Sequence, residues 1–243
     1  MQRKLYVINN KKLAICALLL VMSCGTVVAQ DRLQLTDSAT IDYLQKSGNY
    51  STLYYGSEYE TQPATTNHPY LVDAQYTKAR LSYQDVIYPD VLLRLDLNRD
   101  ELIVRTPDFR HIVLFPENTG FAELHGKHIV YFQKNNLPGC PPTGYYILLY
   151  SGDCLVLEKR YARLAEKIYQ RRLERFFIFS TRYYLYKEGV YYTVKNKKEL
   201  LKTLHPYTKE LKRFVSNLKL NFKEETEMFL MLTVSEYEKL SGL

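Results

Sequence analysis

The sequence predicts an α+β protein: an antiparallel β-meander, forming a curved sheet or partial barrel, followed by a C-terminal helical segment. Three features carry that expectation. From Val91 to Leu97 the chain alternates strictly, Val91, Leu93, Leu95 and Leu97 on one face and Arg94 and Asp96 on the other, as a half-buried strand requires. Turn signals recur about every eight to ten residues between Tyr88 and Phe132. A helical period appears only beyond Asn196. Short strands followed by a run of helices suit a curved antiparallel sheet better than a parallel α/β one.

Taken in order, residues 30–49 are polar and read as a loosely ordered lead-in, and Tyr50 to Tyr59 offers a first strand of a β-rich domain over 50–195. Asn98-Arg99-Asp100 has the short polar side chains of a tight turn, so Val91–Leu97 and Glu101–Arg105 form a hairpin. Pro107-Asp108, Glu117 to Gly120 and Gly126-Lys127 punctuate strands at His111–Phe115, Phe121–Leu124 and His128–Phe132. Tyr145–Tyr150 and Leu155–Leu157 flank Ser151-Gly152-Asp153, while Tyr183–Tyr186 and Val190–Val194 flank Lys187-Glu188-Gly189, giving two more hairpins.

Residues 158–175 read two ways. Leu157, Tyr161, Leu164 and Ile168 keep helical spacing, yet the segment begins by alternating, so a strand running into a short helical or irregular piece is expected. The tail, 196–243, is helical and packs on the sheet. Asn196 and Glu199 have the spacing of a capping box before Leu200, Leu201 and Leu204, and Pro206 suits a first helical turn. Leu211, Phe214, Val215 and Leu218 form an amphipathic stripe, and a last helix over about 223–240, apolar nearly all round from Met228 to Leu232, is expected to be buried.

The first 29 residues read as a secretory signal peptide. Arg3, Lys4, Lys11 and Lys12 precede an apolar run from Leu13 to Met22, and small residues end at Val27-Val28-Ala29. The run is short for a membrane span. A second reading takes Val21-Met22-Ser23-Cys24 as a lipobox, which would lipidate Cys24 and make an outer-membrane lipoprotein, although Met22 is unusual there and no polar tether follows. Cleavage after Ala29 puts the chain in the periplasm or outside the cell, with membrane contact expected only through a lipidated Cys24. Cys140 and Cys154 lie near opposite ends of a strand about 20 Å long, so no bridge between them is expected.

Removing the leader leaves 29 basic and 26 acidic residues, so the high pI is largely a targeting feature. What remains is uneven: residues 154–223 hold 18 basic and 6 acidic residues, flanked by two acidic stretches. Either that block neutralises the acidic sheet and last helix, or it binds an anion. Tyrosine is abundant, with 22 beyond the leader and no tryptophan. Adjacent pairs in strands send one ring to each face. Tyr184, Tyr186 and Tyr192 with Arg171, Arg172 and Arg175 are therefore the candidate ligand surface, suited to a sugar ring or an anionic head group.

Catalytic hardware is sparse. There is no Gly-x-Ser-x-Gly elbow, no Gly-rich phosphate loop and no His-Glu-x-x-His helix, and Cys140 has no basic neighbour to activate it. Asp96, Asn98 and Asp100 match the first ligands of a calcium loop, but Glu101 and Pro107 occupy the positions where glycine and a closing glutamate belong. His125 and His128 with Glu123 could begin a metal site but lack a further ligand in sequence reach. No cofactor or metal is expected.

Leu53-Tyr54-Tyr55-Gly56 with Tyr59, Tyr88-Pro89-Asp90-Val91, Leu95-Asp96-Leu97 before Asp100-Glu101-Leu102, Gly144-Tyr145-Tyr146 with Leu149-Tyr150-Ser151-Gly152, and Tyr183-Tyr184 through Leu200-Leu201 together resemble a group of exported, uncharacterised proteins of Bacteroidetes-type bacteria. The resemblance implies a cell-envelope compartment and no particular activity. The expected function is a non-catalytic envelope module that binds a partner protein, glycan or anionic lipid, and no nucleic acid. The alternative is a carboxylate-dependent hydrolase of envelope or dietary polysaccharide, for which two acids must face each other in a cleft. Mass spectrometry of the mature protein should find Gln30 at its N-terminus; a lipid-modified Cys24 there would replace the first reading of the leader with the second.

Overall fold

The computed structural model describes residues 52–61 and 64–242. The leader of residues 1–29 with Cys24, the whole lead-in segment 30–49 and residues 50–51 lie outside the described residues. Eleven antiparallel strands form one open sheet: β1 (Ser57–Glu58), β2 (Thr77–Tyr83), β3 (Val86–Asp96), β4 (Glu101–Arg105), β5 (His111–Val113), β6 (Thr119–Leu124), β7 (Lys127–Phe132), β8 (Gly144–Ser151), β9 (Leu155–Tyr169), β10 (Arg172–Lys187) and β11 (Val190–Val194). Among the described residues three α-helices follow the sheet, α1 (Lys197–Thr203), α2 (Thr208–Asn217) and α3 (Thr226–Ser241). The spatial order is β1-β5-β4-β3-β2-β6-β7-β8-β9-β10-β11, so all but the β1–β5 and β2–β6 contacts join neighbours in sequence. This is the α+β meander with a helical tail that the alternation predicts.

Four hairpins close through two-residue turns whose central residues both have positive φ: Gln84-Asp85, His125-Gly126, Gln170-Arg171 and Glu188-Gly189. That backbone matches the right-handed twist of the flanking strands. Alternation then sorts the meander. Val91, Leu93 and Leu95 of β3, Leu102 and Val104 of β4 and Ile112 of β5 are all buried. On the opposite face Arg94 lies 3.7 Å from the ring centre of Tyr70 and 4.3 Å from that of Tyr76, so the 59–76 segment is laid across the sheet by cation–π contacts.

The largest departure from expectation is at 158–175. It is neither helix nor irregular but the middle of a long ribbon, in which β9 and β10 pair without a break from Arg172↔Tyr169 to Tyr186↔Leu155. The helical spacing is incidental: Leu157 and Tyr161 lie on one face of β9, Leu164 and Ile168 on the other.

The helices cover one face of β8–β11. Cys154, Val156, Leu185 and Val194 meet Leu200, Leu204, Leu211, Val215, Phe229, Leu230, Val234 and Tyr237 in one buried cluster. Each such apolar side chain contributes about 1.5–3 kcal/mol on burial. Asn196 caps α1 by accepting from the Glu199 N–H at 3.0 Å, while Glu199 reaches back to the N–H of Lys195 rather than to that of Asn196. Pro206 lies in the turn before α2 instead of within its first turn. Helix α3 is not buried all round, because Met228, Met231 and Leu232 face outward at 53%, 40% and 39% exposure. Its Glu238 pins the β8–β9 turn, accepting from the Cys154 N–H and the Tyr150 hydroxyl, each at 2.6 Å. Cys154 and Cys140 are both free; Cys154 is in the helix-side core, where burial pushes its thiol up to about 12.

One ion pair joins the meander to the second half of the sheet. Asp100, in the β3–β4 turn, accepts from Lys159 Nζ at 2.6 Å and from the Tyr145 N–H, while Lys159 also donates to the Tyr145 carbonyl at 2.9 Å. Burial lowers the Lys159 pKa, and the Asp100 charge opposes that shift. Gly144 has φ +148° and sits where a Cβ would fall on Asp100 Oδ2 and Lys159 Nζ. Replacing Asp100 by Ala should therefore strand a buried ammonium and lower unfolding stability by about 3–5 kcal/mol in urea titration; Lys159→Met should cost less, because Asp100 keeps 30% of its side chain in water.

Candidate functional site

The feature of the fold that its own core does not explain is the outer half of the β9–β10 ribbon. Its root is held on both edges. On the β9 side Ala162 donates its N–H to the Leu97 carbonyl at 3.1 Å and accepts from Asn98 Nδ2 at 2.8 Å. On the β10 side Thr66 donates to the Arg175 carbonyl at 2.9 Å, and the Asn67 amide bonds both main-chain groups of Phe177, at 2.7 and 2.9 Å. Beyond these clamps the ribbon extends by roughly 20 Å, at the usual strand rise.

Cross-strand pairing orders what it presents. Leu164/Phe177, Glu166/Arg175 and Ile168/Leu173 share one face; Arg163/Ile178, Ala165/Phe176, Lys167/Glu174 and Tyr169/Arg172 share the other. At the tip Ile168 is 80% exposed, and Tyr169 and Leu173 are 55% exposed. Both acids of this segment are paired, Glu166 with Arg175 at 2.7 Å and Glu174 with Lys167 at 3.2 Å. Arg163, Arg171 and Arg172 make no ion pair among the described residues. The tip is thus aliphatic and aromatic on both faces with a net positive rim. A sequence signal for it exists: about the centre Gln170-Arg171, opposite charges and apolar residues mirror one another, as a hairpin demands.

The six residues expected to form a ligand surface do not come together. Arg171 and Arg172 are at the ribbon tip, and Arg175 is at its clamp, bound to Glu166. Tyr184 lies some 40 Å back along β10, at the usual rise per residue. It is buried with Tyr146, Leu157 and Tyr191, while Tyr186 packs on Tyr191 at 4.9 Å between ring centres. Of the three tyrosines Tyr192 is exposed, on β11. Tyr191 and Tyr192 divide between a buried and an exposed face, whereas Tyr145 and Tyr146, on alternate faces of their strand, are both buried.

The acids are engaged elsewhere. Asp96 caps the β3–β4 turn through the N–H groups of Asn98 and Arg99 and accepts the Tyr59 hydroxyl at 2.7 Å, so with Asp100 on Lys159 the calcium-loop spacing serves a turn. His125 meets Thr77 while His128 stacks on Phe121. No three His, Cys, Asp or Glu side chains among the described residues are grouped to hold a metal. Two carboxylates do converge: Arg160 donates to Glu158 at 2.6 Å and to Glu227 at 2.7 Å, and Lys127 holds Glu227 from the other side at 2.9 Å. Burial pushes Glu158 up beyond what Arg160 restores, whereas for Glu227 burial is outweighed by Lys127 and Arg160, which hold it below the ordinary carboxylate range. With Glu158 only 1% exposed and both acids on cations, the group fastens the start of α3 to β9.

No protein family model, curated protein or solved structure matches this chain, so the reading of the site rests on its geometry. The carboxylate network makes a pH-dependent prediction. Arg160→Met leaves Glu158 buried without its cation and should destabilise the protein by about 3–5 kcal/mol at neutral pH. A carboxyl whose folded pKa is raised lowers stability as pH rises past the ordinary carboxylate range, so in denaturant titrations the loss should be larger at pH 8 than at pH 5.

Proposed function

We propose that the protein is an exported, non-catalytic cell-envelope module that docks on anionic lipid head groups through the tip of the β9–β10 ribbon. The observation that carries this reading is the grouping at the tip of exposed Ile168, Tyr169 and Leu173 with Arg171 and Arg172, neither of which is ion-paired among the described residues. A flat protein partner covers one face of a two-stranded ribbon. A bilayer interface covers both, and here both faces carry apolar side chains. Aliphatic and aromatic groups gain by entering the acyl boundary, and arginines reach back to phosphates. Each basic residue near an anionic surface adds about 1 kcal/mol, so the two tip arginines and three apolar groups suffice for reversible attachment. Helix insertion is not part of this reading; no helix among the described residues is long and apolar enough to span a membrane.

The compartment comes from the leader and the family resemblance, and lipidation of Cys24 would add a second anchor to the ribbon. The hydrolase alternative finds no support in the Glu158–Glu227 pair, whose acids are neutralised by Arg160 and Lys127.

Co-sedimentation of the mature chain with vesicles tests the reading. Binding should be strong to phosphatidylglycerol-rich vesicles and weak to phosphatidylcholine ones, and should fall about tenfold in both the Ile168→Ser/Leu173→Ser and the Arg171→Glu/Arg172→Glu variants. Equal binding to both vesicle types, or no loss in either variant, would overturn it.

A further inference from the structure

Two cavities meet along one stretch of β10. The first, about 390 Å³, is lined by Leu71, Leu97 and Phe179 among others. The second, about 710 Å³, is lined by Tyr183, Arg182, Lys195 and Lys223 among others and has no carboxylate in its wall. Thr181 belongs to both. Phe179, Thr181 and Tyr183 share one face of β10, two residues apart, so the cavities form one groove that passes from an apolar end to a basic end.

The groove runs beside an open strand edge. Arg175 and Phe177 turn main-chain groups away from β9, toward Thr66 and Asn67, and Tyr183 begins the ladder with Val194 on that same side. By the alternation of an antiparallel strand, the N–H and C=O groups of Phe179 and Thr181 point there too. Neither meets a protein partner on that side among the described residues. The gap is closed at one end by the Asn67 amide, which pairs with Phe177 as a strand residue would, and at the other by the end of β11. Arg182, Lys195 and Lys223 make no ion pair among the described residues; Arg182 rests 5.5 Å from the ring centre of Tyr161.

We infer that the β10 edge between Asn67 and Val194 binds an extended acidic peptide segment as an added short strand. Its main chain pairs with Phe179 and Thr181. One apolar side chain enters the cavity beside Phe179 and Leu97, and an acidic side chain two residues away on the same face enters the cavity flanked by Lys195 and Lys223. Strand addition draws its affinity from main-chain bonds and its specificity from alternate side chains, which is what this edge and its two cavities offer. The ligand class is an acidic peptide rather than a saccharide because the unpaired groups at the centre of the groove are two peptide units in strand geometry. The site is separate from the ribbon tip and does not depend on membrane docking.

Fluorescence anisotropy of the mature chain with a labelled octapeptide that repeats valine, threonine, aspartate, threonine tests the assignment. Saturable binding in the micromolar range is expected, at least about tenfold tighter than for the same peptide with lysine in place of aspartate. Thr181→Pro removes an outward N–H and no ladder bond to β9, so it should keep the circular dichroism spectrum and weaken binding by about tenfold or more. The exposed pair Lys195→Glu/Lys223→Glu should do the same and reverse the preference between the two peptides. Absence of saturable binding, equal binding of both peptides, or undiminished binding by a folded Lys195→Glu/Lys223→Glu protein would each overturn the proposal.

Discussion

The buried contact between Asp100 and Lys159 organises the molecule. An ammonium taken out of water must keep an anion within reach, since the desolvation penalty amounts to several kcal/mol. Here the anion is supplied by a turn from the other half of the chain, at 2.6 Å. That requirement draws the β3–β4 turn onto β8 and β9, demands a glycine at Gly144, and brings Leu97 and Asn98 to the edge of β9 at Ala162. The 64–72 segment then crosses to the opposite edge of the ribbon, where Asn67 completes the clamp.

Beyond the clamp the same geometry exposes what a sheet ordinarily hides. Strand β9 leaves β8 after a short overlap and β10 is met by β11 only from Tyr183 onward, so the ribbon has two free edges and two free faces. Free edges and exposed aliphatics invite association, and proteins that keep them at a defined place do so because something covers them. The basic block divides accordingly. Lys159, Arg160, Lys167, Arg175 and Lys187 neutralise acids of the same chain, while Arg163, Arg171, Arg172, Arg182, Lys195 and Lys223, like the seven remaining basic residues from Lys197 to Lys219, pair with none among the described residues. Internal compensation thus accounts for one part of the block, and the anion binding proposed above would draw on another.

Much of this was legible from residue order. The alternation of Val91 to Leu97, the turns at Asn98–Asp100, Ser151–Asp153 and Lys187–Gly189, and the α1 cap at Asn196 all appear where periodicity and turn chemistry place them. The ribbon was harder to see. Its turn, Gln170-Arg171, carries positive φ without glycine or asparagine, so no local punctuation marks it, and a chance helical spacing of apolar residues on two strand faces competes with the strand pattern. Helix α3 misleads in the opposite sense: its all-round apolar run suggests full burial, but only Phe229, Leu230, Thr233, Val234, Tyr237 and Glu238 are buried. The candidate tyrosines failed to gather because Tyr184 and Arg172 are near in sequence and far apart on an extended strand.

Residue order alone therefore settled the alternating strands, their turns and the helical tail, because each depends on interactions within a few residues. Which charges would be neutralised, which aromatic rings buried and which strand edge left open could be known only once distant segments met. Asp100 and Lys159 are 59 residues apart, and Asn67 and Phe177 are 110 apart. Long-range pairs of that kind determine where the sheet ends, and the places where it ends are where this protein has surface available for binding.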